Sequence, residues 1–66
     1  MQITLNGAPR DIPAASTISD LLADLKIESR YCAVERNRVV VPRETHRTVT
    51  LLDGDQIEIV TLVGGG

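Results

Sequence analysis

Residues 2–6, QITLN, alternate polar and apolar side chains, which puts Ile3 and Leu5 on one face as a half-buried strand requires. Asn6-Gly7 follows, and both residue types accept the positive φ of a tight hairpin turn. A returning strand around residues 10–12 is expected beside the first, with Pro13 ending it. The period then changes. Ile18, Leu21, Leu22 and Leu25 recur at the i, i+3, i+4, i+7 spacing of one buried helical stripe. Thr17 is the expected N-cap, and Asp20 three positions on completes a pattern like a capping box. Asp20 and Asp24 fall on the opposite side, where a solvated face explains them better than a metal or acid–base pair.

A period of two returns at residues 31–35, with Cys32 and Val34 sharing a face. Asn37-Arg38 reads as a turn into the short run Val39, Val40, Val41, which Pro42 stops. PRETH, 42–46, predicts a turn or a single 3₁₀ turn on the surface. Asp53-Gly54-Asp55 is a further turn signal, launching a last strand over 56–63. In that strand Ile57 and Ile59 point one way, Glu58 and Val60 the other. The order ββαβ(β)β predicts an α+β fold, with one helix packed across a mixed sheet. The pattern leaves open whether the first and last strands pair in parallel. It shows no internal repeat, low-complexity segment or linker.

Composition narrows the class. A chain of 66 residues is one domain near the lower limit of independent folding. Its 42% hydrophobic content, mostly Val, Ile and Leu, argues against disorder. No apolar run is long enough to cross a membrane, and Met1 opens onto a strand pattern rather than a signal peptide. The single cysteine allows no internal disulfide and fits a reducing compartment, so the cytoplasm is the expected location. A net charge of −2 and one aromatic residue, Tyr31, speak against nucleic-acid binding through a basic patch with stacking rings. Beyond Arg47 the charged side chains are Asp53, Asp55 and Glu58 only. This acidic last third would steer toward a basic partner surface, although a merely solvated face gives the same imbalance.

Catalytic chemistry is missing from the pattern. One Cys, one His and no zinc-ligand spacing leave neither a metal cluster nor a nucleophile beside a base. Cys32 alternates in register with Val34 and reads as a buried core thiol. His46, among Arg43, Glu44, Arg47 and threonines, reads as an exposed loop residue. The chain is therefore not expected to be an enzyme, nor to bind a metal or cofactor itself.

What remains is the final stretch, LVGGG, which holds three of the five glycines. A terminal carboxylate is ionised at neutral pH and a poor electrophile until another enzyme activates it, for example as an acyl adenylate. Activation requires delivering it into that enzyme's site. Glycine suits a narrow passage because it has no Cβ and adopts almost any φ/ψ, and three extended residues reach on the order of 10 Å. A frayed end is the bland alternative, but three glycines directly after an apolar strand favour a functional tail. The expected division is a folded domain over 1–63 and a flexible tail over 64–66.

In their order along the whole chain, several motifs resemble the ubiquitin-like sulfur carriers, and within them the thiamin-pathway ThiS family. They are NG at 6–7, T-x-x-D-L-L at 17–22, VVPRE at 40–44, DGDQIEI at 53–59 and VGGG at 63–66. The resemblance implies a β-grasp fold, with first and last strands parallel. It implies that Gly66 is adenylated by a ThiF-like enzyme using Mg-ATP. A cysteine desulfurase or other persulfide donor then supplies sulfur for a Gly66 thiocarboxylate, which thiazole synthase consumes. Gly65 completes the required Gly-Gly, and Gly64 adds reach, both threading into the partner. Val60 and Leu62 share a strand parity and, if exposed, form an apolar docking patch beside the tail. Three other readings stay open: a molybdopterin-pathway sulfur carrier, a protein modifier joined through Gly66 to lysine amines, and a non-covalent β-grasp interaction module.

Overall fold

The computed structural model describes residues 1–62; the expected tail, Gly64–Gly66, the expected 63/64 domain boundary and the last position of the expected final strand lie outside them. Strands β1 (Gln2–Leu5) and β2 (Ala8–Asp11) form an antiparallel hairpin, paired from Gln2↔Asp11 to Leu5↔Ala8. Asn6 and Gly7 both take positive φ, +49° and +83°, the left-handed pair of a two-residue turn. Such a turn lets pairing resume at once, so β2 begins two residues before the expected position. Ile12 still bonds the other strand, its N–H donating to the Met1 carbonyl at 2.8 Å.

Helix α1 spans Ile18–Asp24. Its capping box is complete: the Asp20 N–H donates to Thr17 Oγ1 at 3.1 Å, and the Thr17 N–H donates to Asp20 Oδ2 at 2.9 Å. Ile18, Leu21 and Leu22 are buried, whereas Leu25 is the C-cap and only half-buried. The helix ends in a Schellman arrangement, with Ile27 N–H on the Leu22 carbonyl (2.9 Å) and Lys26 N–H on that of Ala23 (3.1 Å). Lys26 occupies the left-handed position, φ +59°, where glycine is usual.

After a 3₁₀ turn at Ser29–Tyr31 comes β3 (Cys32–Arg36), one residue later at each end than the pattern suggests. Asn37 and Arg38, with φ of +51° and +70°, turn the chain into β4 (Val39–Val40), and a second 3₁₀ turn covers Arg43–Thr45. The last strand, β5, runs Gln56–Thr61. The sheet order is β2-β1-β5-β3-β4, with β1 and β5 parallel and every other pair antiparallel. One cluster joins Ile18, Leu21 and Leu22 of the helix to Ile3, Val34, Ile57 and Ile59 of the sheet. One helix held against a mixed sheet with central parallel strands is the β-grasp.

His46 departs from expectation. It is 2% exposed, while the neighbouring Arg43, Glu44 and Arg47 are exposed. The 3₁₀ turn carries Arg43 and Glu44 outward and folds position 46 against the core. There the His46 ring Nε2 donates to the Val41 carbonyl at 3.2 Å, and the His46 carbonyl accepts from the Ser19 N–H at 2.9 Å. The residue thus ties the loop to the first turn of α1. Its Nδ1 is buried without a partner among the described residues.

Candidate functional site at the end of β5

β5 is the central strand, and its backbone directions alternate. The Gln56 carbonyl and Leu62 N–H face the β3 side, accepting from Asn37 N–H (2.7 Å) and donating to the Tyr31 carbonyl (2.7 Å). The Ile57 carbonyl faces β1 and accepts from the Asn6 N–H at 2.9 Å. At Ile59 the β1 backbone has begun to turn away, and the Asn6 side chain takes over. Ile59 N–H donates to Asn6 Oδ1 at 2.8 Å, and Asn6 Nδ2 donates to the Ile59 carbonyl at 3.2 Å. The strand is thereby held on both sides close to its C-terminal end.

Its entry is anchored by Asp55, which is buried. Asp55 Oδ2 accepts from the Leu52 N–H (2.8 Å) and Arg36 Nε (2.9 Å), and Oδ1 accepts from Asn37 Nδ2 (3.0 Å). Burial pushes this carboxyl up. The Leu52 N–H, the Asn37 amide and the Arg36 guanidinium more than offset that and hold it below its ordinary value. Asp53 adds a second tie, its Oδ1 accepting from the Gln2 N–H at 2.8 Å. Both aspartates of the DGD turn thus help fasten β5, Asp55 from a buried position and Asp53 from an exposed one.

The sheet face away from the helix carries Glu58 opposite Glu35 and Val60 opposite Ala33. Val60 is 61% exposed and Leu62 53%, so two apolar side chains stand open at the end of β5. Cys32 is buried as expected, its thiol pointing to the Ser29 carbonyl (3.7 Å), and burial raises its pKa. That environment suits a core thiol, not a nucleophile. Among the described residues no three His, Cys, Asp or Glu side chains gather to hold a metal, and no helix is long and apolar enough to cross a membrane.

The pattern alone did not reveal three residues that shape this site. Asn6 is legible as a turn residue, but its clamp on Ile59 lies 53 positions away. Asp55 is legible as a turn residue, yet it is a buried hub. Leu51, fully buried, sits in an aperiodic stretch whose Thr50 bridges to Thr17.

The family model described as the ThiS family matches residues 3–66. A thiazole synthase of Paramagnetospirillum magneticum is 42% identical over all 66 residues; the chain spans 20% of that relative's length. The sulfur carrier protein ThiS of Bacillus subtilis is 48% identical over 50 residues, 76% of each chain. The crystal structure of a thiamine biosynthesis protein (ThiS) from Geobacter metallireducens superposes with a TM-score of 0.85 at 35% identity, covering all of both chains.

Proposed function

The chain belongs to the ThiS family, and we propose that it is the sulfur carrier for the thiazole moiety of thiamin. The observation that carries this reading is a family match running along the described fold and on through all three glycines at 64–66. A strand fastened by Asn6 and Asp55 and flanked by exposed Val60 and Leu62 suits delivery of a terminal group into another protein's site.

In this reading the Gly66 carboxylate attacks the α-phosphorus of Mg-ATP on a ThiF-like enzyme, giving an acyl adenylate and pyrophosphate. The terminal sulfur of a persulfide, on a cysteine desulfurase or another donor, displaces AMP. A second thiol then cleaves the acyl disulfide, pairing with the donor sulfur and leaving a Gly66 thiocarboxylate. Thiazole synthase takes this tethered sulfide. The chain is the object of these reactions rather than their catalyst, and Cys32 has no part in them. Val60 and Leu62 dock on the partner while Gly64 and Gly65, lacking Cβ atoms, thread into it. That a stretch similar to this chain lies within a protein named thiazole synthase supports this pairing of partners.

The test is adenylate formation. With the ThiF-like enzyme, the chain should support exchange of labelled pyrophosphate into ATP. A chain lacking Gly65 and Gly66 should fold equally well and support none. Equal exchange with the truncated chain would contradict a role for the terminal glycines.

A further inference from the structure

β5 has neighbours on both sides only as far as Ile59. Its β1-facing groups are met by Asn6 N–H at Ile57 and by the Asn6 side chain at Ile59. Gly7 then turns the chain back along β2. By the alternation of the strand, the next groups to face that side are the N–H and C=O of Thr61. Thr61 is exposed, and among the described residues nothing bonds either group.

Free strand edges invite pairing, and this fold guards its other two. The outer edge of β2 carries Pro9, Arg10 and Asp11, and β4 is only two residues long. The Thr61 edge has neither charge nor proline, and its neighbours are the exposed Val60 and Leu62. Thr61 is also already extended, because on its other side it lies opposite Cys32 and the following N–H donates to the Tyr31 carbonyl. A partner strand would find the edge in place, with little ordering left to do.

We propose that the Thr61 backbone is a strand-pairing site for an extended segment of thiazole synthase, a reading that rests on the proposed function above. The segment accepts from the Thr61 N–H and donates to the Thr61 carbonyl. It carries apolar side chains against Val60 and Leu62. It also carries a basic one toward Glu35 and Glu58, which face each other across β3 and β5, neither of them in an ion pair among the described residues. Like charges directly opposite are unfavourable, and a guanidinium or ammonium between them removes the repulsion.

The experiment is amide hydrogen exchange on isotopically labelled chain, alone and saturated with thiazole synthase. The Thr61 amide should exchange rapidly in the free chain and at least about tenfold more slowly in the complex. A semisynthetic chain with an ester in place of the Val60–Thr61 amide loses the Thr61 N–H and weakens the Val60 carbonyl as an acceptor, but that carbonyl faces β3 and not the partner edge. The ester chain should bind roughly threefold to tenfold more weakly, the worth of one hydrogen bond. A saturated complex in which Thr61 stays unprotected, or an ester chain of unchanged affinity, would overturn the proposal. So would protection that grows with the concentration of the free chain, which would assign the edge to a second copy. Failure of the unmodified chain to bind thiazole synthase would instead contradict the functional reading beneath it.

Discussion

Asn6 holds Ile59 by both backbone groups, accepting its N–H at 2.8 Å and donating to its carbonyl at 3.2 Å. One side chain at a hairpin tip thus extends the parallel pairing of β1 and β5 beyond the point where the β1 backbone leaves it. Two tasks converge on this residue, since its φ of +49° also makes the turn.

The two tasks can be separated. Asn6→Gly keeps the positive φ and removes the clamp, so it should cost about 1–2 kcal/mol from two lost hydrogen bonds. Chemical denaturation measures that cost. The Ile59 amide should also exchange faster, with the amides of α1 less affected.

Asp55 should set the acid limit of stability. Its folded pKa lies below the unfolded value, so its contribution is fully present above the unfolded value and is lost as pH falls through the folded one. Stability should therefore decline below about pH 4. Asp55→Asn should be less stable at neutral pH by about 1–3 kcal/mol and show a flatter acid limb in denaturation curves.

Lys26 offers a gain. Its left-handed φ closes the Schellman turn of α1 at a steric cost that glycine does not bear. Lys26→Gly should raise stability by about 0.5–1 kcal/mol, read as an increase in Tm.

Val60 and Leu62 should matter to a partner and not to the fold. Val60→Ser with Leu62→Ser should change stability by no more than about 0.5 kcal/mol for each substitution. It should weaken binding to the adenylating enzyme or to thiazole synthase by at least about tenfold, measured by calorimetry.

Local chemistry accounts for what the pattern made legible. Thr17 with Asp20, Asn6 with Gly7, and the alternation of Cys32 with Val34 each declare themselves within a few residues. The residues that were not legible act over distance. His46 has charged neighbours, and only the path of the 3₁₀ turn shows that its ring meets the Val41 carbonyl. Asp55 reads as a turn former because its partners Arg36 and Asn37 lie on another hairpin. At the site itself, the parity of Val60 and Leu62 was readable, and their exposure followed from the helix covering the other face. The unpaired Thr61 edge needed the register of three strands at once.

The most direct test of the carrier role is the intact mass of the chain after incubation with ATP, cysteine, a cysteine desulfurase and the ThiF-like enzyme. The account predicts a gain equal to one oxygen exchanged for sulfur, localised by fragmentation to Gly66. An unchanged mass alongside an active adenylating enzyme, or the chain joined instead to lysine amines of other proteins, would contradict it.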